Sequence, residues 1–150
     1  MSRNPRIGEL SLRRSELKSA GRFREAIPLQ LEIIELLELE GSPSKDLANA
    51  HNMASVFFLN DQRYADAERH ARRALSLHTG DSAKDHEASG AYHLVMARIL
   101  ASRFEYGEAA VFGEKAILEY SRFHNPSDEF LSSVTAEVEK IKNHTWAPRG

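Results

Sequence analysis

An aromatic residue followed three positions later by alanine recurs three times in this chain. The three copies are Phe23-Arg-Glu-Ala26, Tyr64-Ala-Asp-Ala67 and Tyr106-Gly-Glu-Ala109, with 41 residues from Phe23 to Tyr64 and 42 from Tyr64 to Tyr106. Self-similarity at such a period marks a structural unit copied along the chain. The middle copy, Asn60 to Leu77, reads as a tight turn followed by a helix. Its Ala67, Ala71 and Ala74 fall at spacings of four and three. They share one face of a 3.6-residue helix and leave room for a second helix to come close.

The remaining punctuation predicts seven helices, over about residues 7–19, 22–40, 44–60, 63–78, 83–102, 106–123 and 127–143. Three longer turns separate pairs of them: Gly41-Ser-Pro-Ser44, Gly80-Asp-Ser82 and His124-Asn-Pro-Ser127. Glycine, proline and helix-capping residues stop one helix and start the next. No period-two alternation persists, so strands are not expected. Residues 1–6, polar and carrying Pro5, read as a disordered lead-in, 7–143 as one helical repeat domain, and 144–150 as a flexible tail. Trp146 either folds back on the last helix or sits loose. The expected fold is all-α: an α-solenoid of three helix-turn-helix repeats and a C-terminal capping helix with Phe130, Val134, Val138 and Ile141 as its apolar stripe.

The 150 residues suffice for a sizeable core, and a net charge of -2 gives no reason to expect nucleic acid or an anionic membrane as partner. Cysteine is absent. That excludes disulfides, thiolate metal sites and cysteine nucleophiles, and it fits a reducing, cytoplasmic setting. No apolar run reaches membrane-spanning length, and Arg3 and Arg6 precede no apolar segment of a secretory signal. Glycine-rich phosphate loops, nucleophile elbows and paired carboxylates are missing, so neither catalysis nor a cofactor is expected. Nor is a metal: His51 and His93 share one repeat position, which marks packing, and His86 lies two helical turns from His93, too far for a chelate. Asp81, Asp85, His86 and Glu87 read as a solvated helix start. The second helix is acidic through Glu32, Glu35, Glu38 and Glu40, yet apolar over more than one stripe. Either the first pair buries more of it, or part forms a homodimer contact.

The pattern resembles the tetratricopeptide repeat, with small residues where helices cross and an aromatic opening the second helix. Ser55, Ala67 and Ala74 with Tyr64 form the middle repeat; Ala97, Ala109 and Ala116 with Tyr106 form the third. In the first, Gly21, Phe23 and Ala26 match, whereas Arg14 stands where a small residue is expected and Ile33 replaces the last alanine. The period is longer than the usual repeat and is similar to the variety found in kinesin light chains and bacterial peptide-sensing regulators. Asn52-Met-Ala54 before Arg63-Tyr-Ala-Asp-Ala-Glu68 carries that likeness.

The resemblance implies a concave groove lined by the first helix of each pair. Its positions here are Asn49, Asn52, Val56, Leu59 and Asn60 in the middle pair, Leu94, Arg98 and Ser102 in the third, Ser11, Ser15 and Lys18 in the first, and Lys140 on the cap. Asparagine side chains can pair with a peptide backbone. Val56, Leu59 and Leu94 would take an apolar anchor, and Lys18, Arg98 and Lys140 would favour acidic groups. The implied function is a non-catalytic adaptor for a peptide or protein segment, acidic to neutral with a hydrophobic anchor. The alternatives are a peptide-responsive regulatory module and, third, a helical enzyme. A chaperone-tail clamp is disfavoured, because Ser11, Ser15, Asn52, Val56, Leu94 and Arg98 offer one cation where that clamp needs several.

Overall fold

The computed structural model describes residues 4–148 and is all-helical, with no strand among them. The helices are α1 (Pro5–Ser19), α2 (Phe23–Leu39), α3 (Ser44–Asn60), α4 (Tyr64–Leu77), α5 (Ala83–Ser102), α6 (Tyr106–Ser121) and α7 (Glu129–Lys142). One compact unit ends at His78 and a second begins at Thr79. In the first, α2 packs against both α1 and α3, and α3 packs against α4. In the second, α6 packs against both α5 and α7. Among the described residues no helix is long and apolar enough to cross a membrane.

The turn inside each pair has one geometry. Gly21, Gln62 and Phe104 adopt left-handed φ values of 72°, 61° and 62°. The next residue closes the turn onto the preceding helix: Arg22 N–H donates to the Leu17 carbonyl at 2.8 Å, Arg63 to Phe58 at 2.9 Å and Glu105 to Leu100 at 2.9 Å. This is the Schellman closure, which satisfies carbonyls that a helix end would leave orphaned. The aromatic follows at once, and Phe23, Tyr64 and Tyr106 are the first residues of α2, α4 and α6. The closure occurs again after α7. His144 has φ 58°, Thr145 N–H donates to the Lys140 carbonyl at 2.9 Å, and an aromatic, Trp146, follows.

Both ends are more ordered than expected over the residues described. Asn4 caps α1 by accepting the Arg6 N–H at 2.9 Å. Proline suits the next position, where no N–H is needed. Pro5 and Arg6, expected in the lead-in, are therefore helical, while residues 1–3 of that segment lie outside the described range. In the expected tail, His144 stacks on Tyr106 with ring centroids 4.1 Å apart, and the Trp146 indole donates to Glu137 at 3.0 Å. Residues 149–150 lie outside the described range.

Small residues fill the helix contacts where the repeat pattern puts them. Ala26, Ala67, Ala74, Ala97, Ala109, Ala116 and Ser55 are fully buried. In the second unit two glycines extend this logic. A β-carbon at Gly90 would sit 2.8 Å from the Tyr120 ring, and one at Gly113 would sit 2.9 Å from Val138. The stripe of α7 differs by one position from expectation. Leu131, Val134, Val138 and Ile141 are buried, while Phe130 is 43% exposed. The cap sets this register: the Asp128 carboxylate accepts the Phe130 N–H at 2.7 Å, and the inward spacing of three, four and three then starts at Leu131. Phe130 packs edge-on against Tyr120 instead. The apolar surplus of α2 follows from its place between two helices, with Ile27, Ile33, Ile34 and Leu37 all buried. Its acidic residues include Glu32, which pairs with Arg6 at 3.3 Å.

Two alanine substitutions on α6 separate crowding from helix propensity. Gly107 has open space around a built β-carbon, whereas Gly113 does not. Gly107→Ala should raise stability by about 0.5 kcal/mol through propensity. Gly113→Ala gains the same propensity but overpacks Val138, so a net loss of about 1–2 kcal/mol is expected in urea denaturation.

Candidate functional site

In the first unit, α1 and α3 flank α2 and leave a cleft of about 190 Å³ between them. Its polar lining comes from Ser11 and Arg14 on α1, Gln30 on α2, and Asp46 and Asn49 on α3. Ser11 and Arg14 are three residues apart, as are Asp46 and Asn49, so each pair occupies adjacent turns of one helix face. Ile7, Ile33, Leu37 and Met53 supply apolar wall.

Arg14 is the unusual group. Its Nη1 donates to Gln30 Oε1 at 3.0 Å, and Gln30 Nε2 donates on to the Ala50 carbonyl at 2.9 Å. Gln30 is 1% exposed, and both ends of its amide are thereby satisfied. The Arg14 Nε lies shielded from solvent with no hydrogen-bond partner among the described residues. Burial pushes the guanidinium below its ordinary pKa. A partly buried cation held by a neutral amide has had its hydration removed without an anion in return. Arg14 makes no ion pair among the described residues, so it can take an incoming carboxylate, against the charge of Asp46 on the facing helix and with Asn49 able to donate and accept beside it.

The expected groove residues divide between the two units. On α3, Asn49 lines the cleft. Asn52, Val56 and Leu59 are half-buried, and the Asn52 Oδ1 is shielded with no partner among the described residues. Asn60 is exposed but turns its amide onto the Val56 carbonyl at 2.8 Å. Lys18 is exposed at the end of α1, one turn beyond Arg14, and Ser15 is exposed beside it. In the second unit two expectations fail. Leu94 is 5% exposed and packs with Tyr120, Leu131, Val134 and Val138, so it offers no anchor pocket. Arg98 is held in a two-pronged bond to Glu137, at 2.7 and 2.8 Å. Glu137 raises its pKa and neutralises it as a ligand cation. Ser102 donates to the Arg98 carbonyl. Lys140 is exposed in the last turn of α7.

Arg14 and Gln30 were absent from the expected set. The available signal was Arg14 itself, an arginine in a register that carries Ser55 and Ala97 in the other repeats. A second missed feature is a buried pair, His51 and His70, with Nδ1 atoms 3.0 Å apart. His93, at the matching repeat position, instead bonds the Ser89 carbonyl at 2.7 Å. His86 bridges Glu119 at 2.6 Å and Asp81 at 2.8 Å. Among the described residues no group of three or more histidine or acidic side chains is placed to hold a metal ion. No family model and no curated protein matches this chain.

The Arg14–Gln30 link predicts a non-additive pair of substitutions. Gln30→Leu alone strands the guanidinium and should cost about 2 kcal/mol. Adding Arg14→Met removes the stranded charge and should recover most of that loss, because an apolar pair of similar volume replaces a buried polar one. Chemical denaturation of the two single variants and the double variant measures the coupling.

Proposed function

We propose that this protein is a non-catalytic interaction module of the tetratricopeptide-repeat type, an α-solenoid that holds a short segment of a peptide or protein partner. The recurring turn, the aromatic that opens each second helix and the buried small residues support the repeat reading. The observation that carries the function is Arg14, a partly buried guanidinium with no ion pair among the described residues, opening on a cleft lined by Asn49, Ser11 and Asp46. The partner segment presents an acidic side chain to Arg14. Its backbone runs along the α3 face of Asn49 and Asn52, with an apolar side chain toward Val56 and Leu59. Lys18, exposed one turn away, adds attraction at the rim. The absence of cysteine supports a reducing, cytoplasmic setting.

Selection of binders from a random peptide library tests this reading. Enriched peptides should carry Asp or Glu near a large apolar residue. Their affinity should fall at least about tenfold in Arg14→Met, the loss of one charge-assisted hydrogen bond. Enriched peptides without an acidic residue, or equal affinity for a folded Arg14→Met variant, would contradict it.

A further inference from the structure

A second concavity in the first unit, about 440 Å³ in volume, is built from different residues and is independent of the Arg14 cleft. Its floor includes the two histidines, each 9% exposed. Its wall is the α4 face of Arg69, Arg72, Arg73 and Ser76, with Glu38 of α2 at the edge. The lining carries three arginines and one glutamate, but most of that positive charge is already committed. Arg69 is already held by Asp66 at 2.8 Å and Arg72 by Glu68 at 2.9 Å. Arg73, one turn from Arg69, has no ion pair among the described residues.

The histidines add a constraint that a plain basic patch lacks. With Nδ1 atoms 3.0 Å apart, one ring must donate and the other accept. The pair can gain one proton and keep that bond. A second proton would set two N–H groups against each other. The rings stack on one another, and Phe58 stacks on the outer side of His70. Arg63 lies over Phe58. The charged groups that act on the pair are Arg73 on His51, and Arg69 opposed by Asp66 on His70. Burial first, then Arg73 for His51 and His51 followed by Arg69 for His70, keep both rings below their ordinary pKa, with His70 at about 4. The pair is therefore neutral near pH 7, beside Arg73, the arginine of the lining that has no ion pair among the described residues.

We propose that the His51–His70 pocket binds a phosphate monoester dianion and takes up a proton on the histidine pair as it does so. Guanidinium groups match the phosphate oxygens with two-pronged bonds, and the Ser76 hydroxyl at the same face would have to turn from the Arg73 carbonyl, to which it donates at 2.8 Å, to join them. Arg73 and the proton taken up by the pair together match the two charges of a dianion, and the dianion offsets the arginine field that adds to burial in keeping the imidazoles neutral. The proton comes from solvent, passes to one imidazole, and leaves the inter-ring bond in place. A single carboxylate supplies half the charge. A phosphodiester backbone carries one charge per group and, with a chain of net charge -2, gains no long-range attraction.

The shared chemistry can come from a small phosphorylated metabolite or a phosphorylated side chain. Calorimetry would compare inorganic phosphate, a phosphoserine peptide and the same peptide without phosphate. Each would be run at about pH 7.5, where the ligands are largely dianions before they bind, in two buffers of different ionisation enthalpy. Saturable binding of phosphate or phosphopeptide with proton uptake, at least about tenfold weaker in Arg73→Gln, is the expected result. Equal affinity for phosphate and phosphopeptide assigns the site to small phosphates, and a preference for the phosphopeptide assigns it to a modified partner. Arg73 is exposed, so its variant stays folded, and His70→Gln should separately abolish the buffer dependence. Lack of saturation at millimolar concentration, equal binding by the unphosphorylated peptide, binding unchanged in Arg73→Gln, or binding without proton uptake would each overturn the proposal.

Discussion

Close approach between helices is the constraint on which this structure depends. Each second helix opens on an aromatic residue, directly after a left-handed turn whose N–H groups close the preceding helix. That turn fixes the angle at which the chain returns. The contact it creates is tight enough to exclude side chains larger than alanine or serine at the crossing. Ala67, Ala74, Ala97, Ala109, Ala116 and Ser55 meet that demand with no exposed surface. Gly90 and Gly113 go further, since even a methyl group would collide with Tyr120 or Val138. In this part of the structure backbone proximity sets side-chain choice, and dispersion contacts accumulate along the seam.

The first pair departs from this rule at Arg14. Where the other repeats place serine or alanine, a guanidinium reaches Gln30 and, through it, the Ala50 carbonyl on a third helix. Desolvating that charge without an anion is unfavourable for folding. Natural sequences tend to break local rules at sites that serve binding. The contrast with Arg98 sharpens this point. Arg98 is also in a helix contact, but Glu137 takes both prongs and Trp146 joins the same carboxylate. One arginine is consumed by its own fold, and the other is left with capacity to spare.

The architecture was largely legible in the sequence, and for specific reasons. Phe23, Tyr64 and Tyr106 fall on the first residues of α2, α4 and α6 because the turn before them is short and repeated. α3 and α5 begin and end where the punctuation put them. The register of α7 was not legible, because Phe130 and Leu131 are both apolar and only the Asp128 cap decides between them. The site was read less well. By sequence Arg98 looks like a free cation, because its partner lies 39 residues away and no local pattern announces such a pair. Leu94 was placed on a groove wall, and α7 and α6 residues cover it. Arg14 was visible as an exception to the repeat, but its cleft needs α3 to complete it. His51 was recognised as a packing residue, and only the fold shows that its contact is a second imidazole.

The most direct test of the central claim is nuclear magnetic resonance of the arginine side-chain Nε–H groups while N-acetylglutamate is added. A saturable shift of the Arg14 resonance is expected, accompanied by the Asn49 and Gln30 side-chain amides, with Arg98 unmoved because Glu137 already holds it. An Arg14 resonance that does not respond, or a shift spread evenly over all arginines, would show that the guanidinium is a structural accident of the first helix pair and not a receptor for an acidic partner.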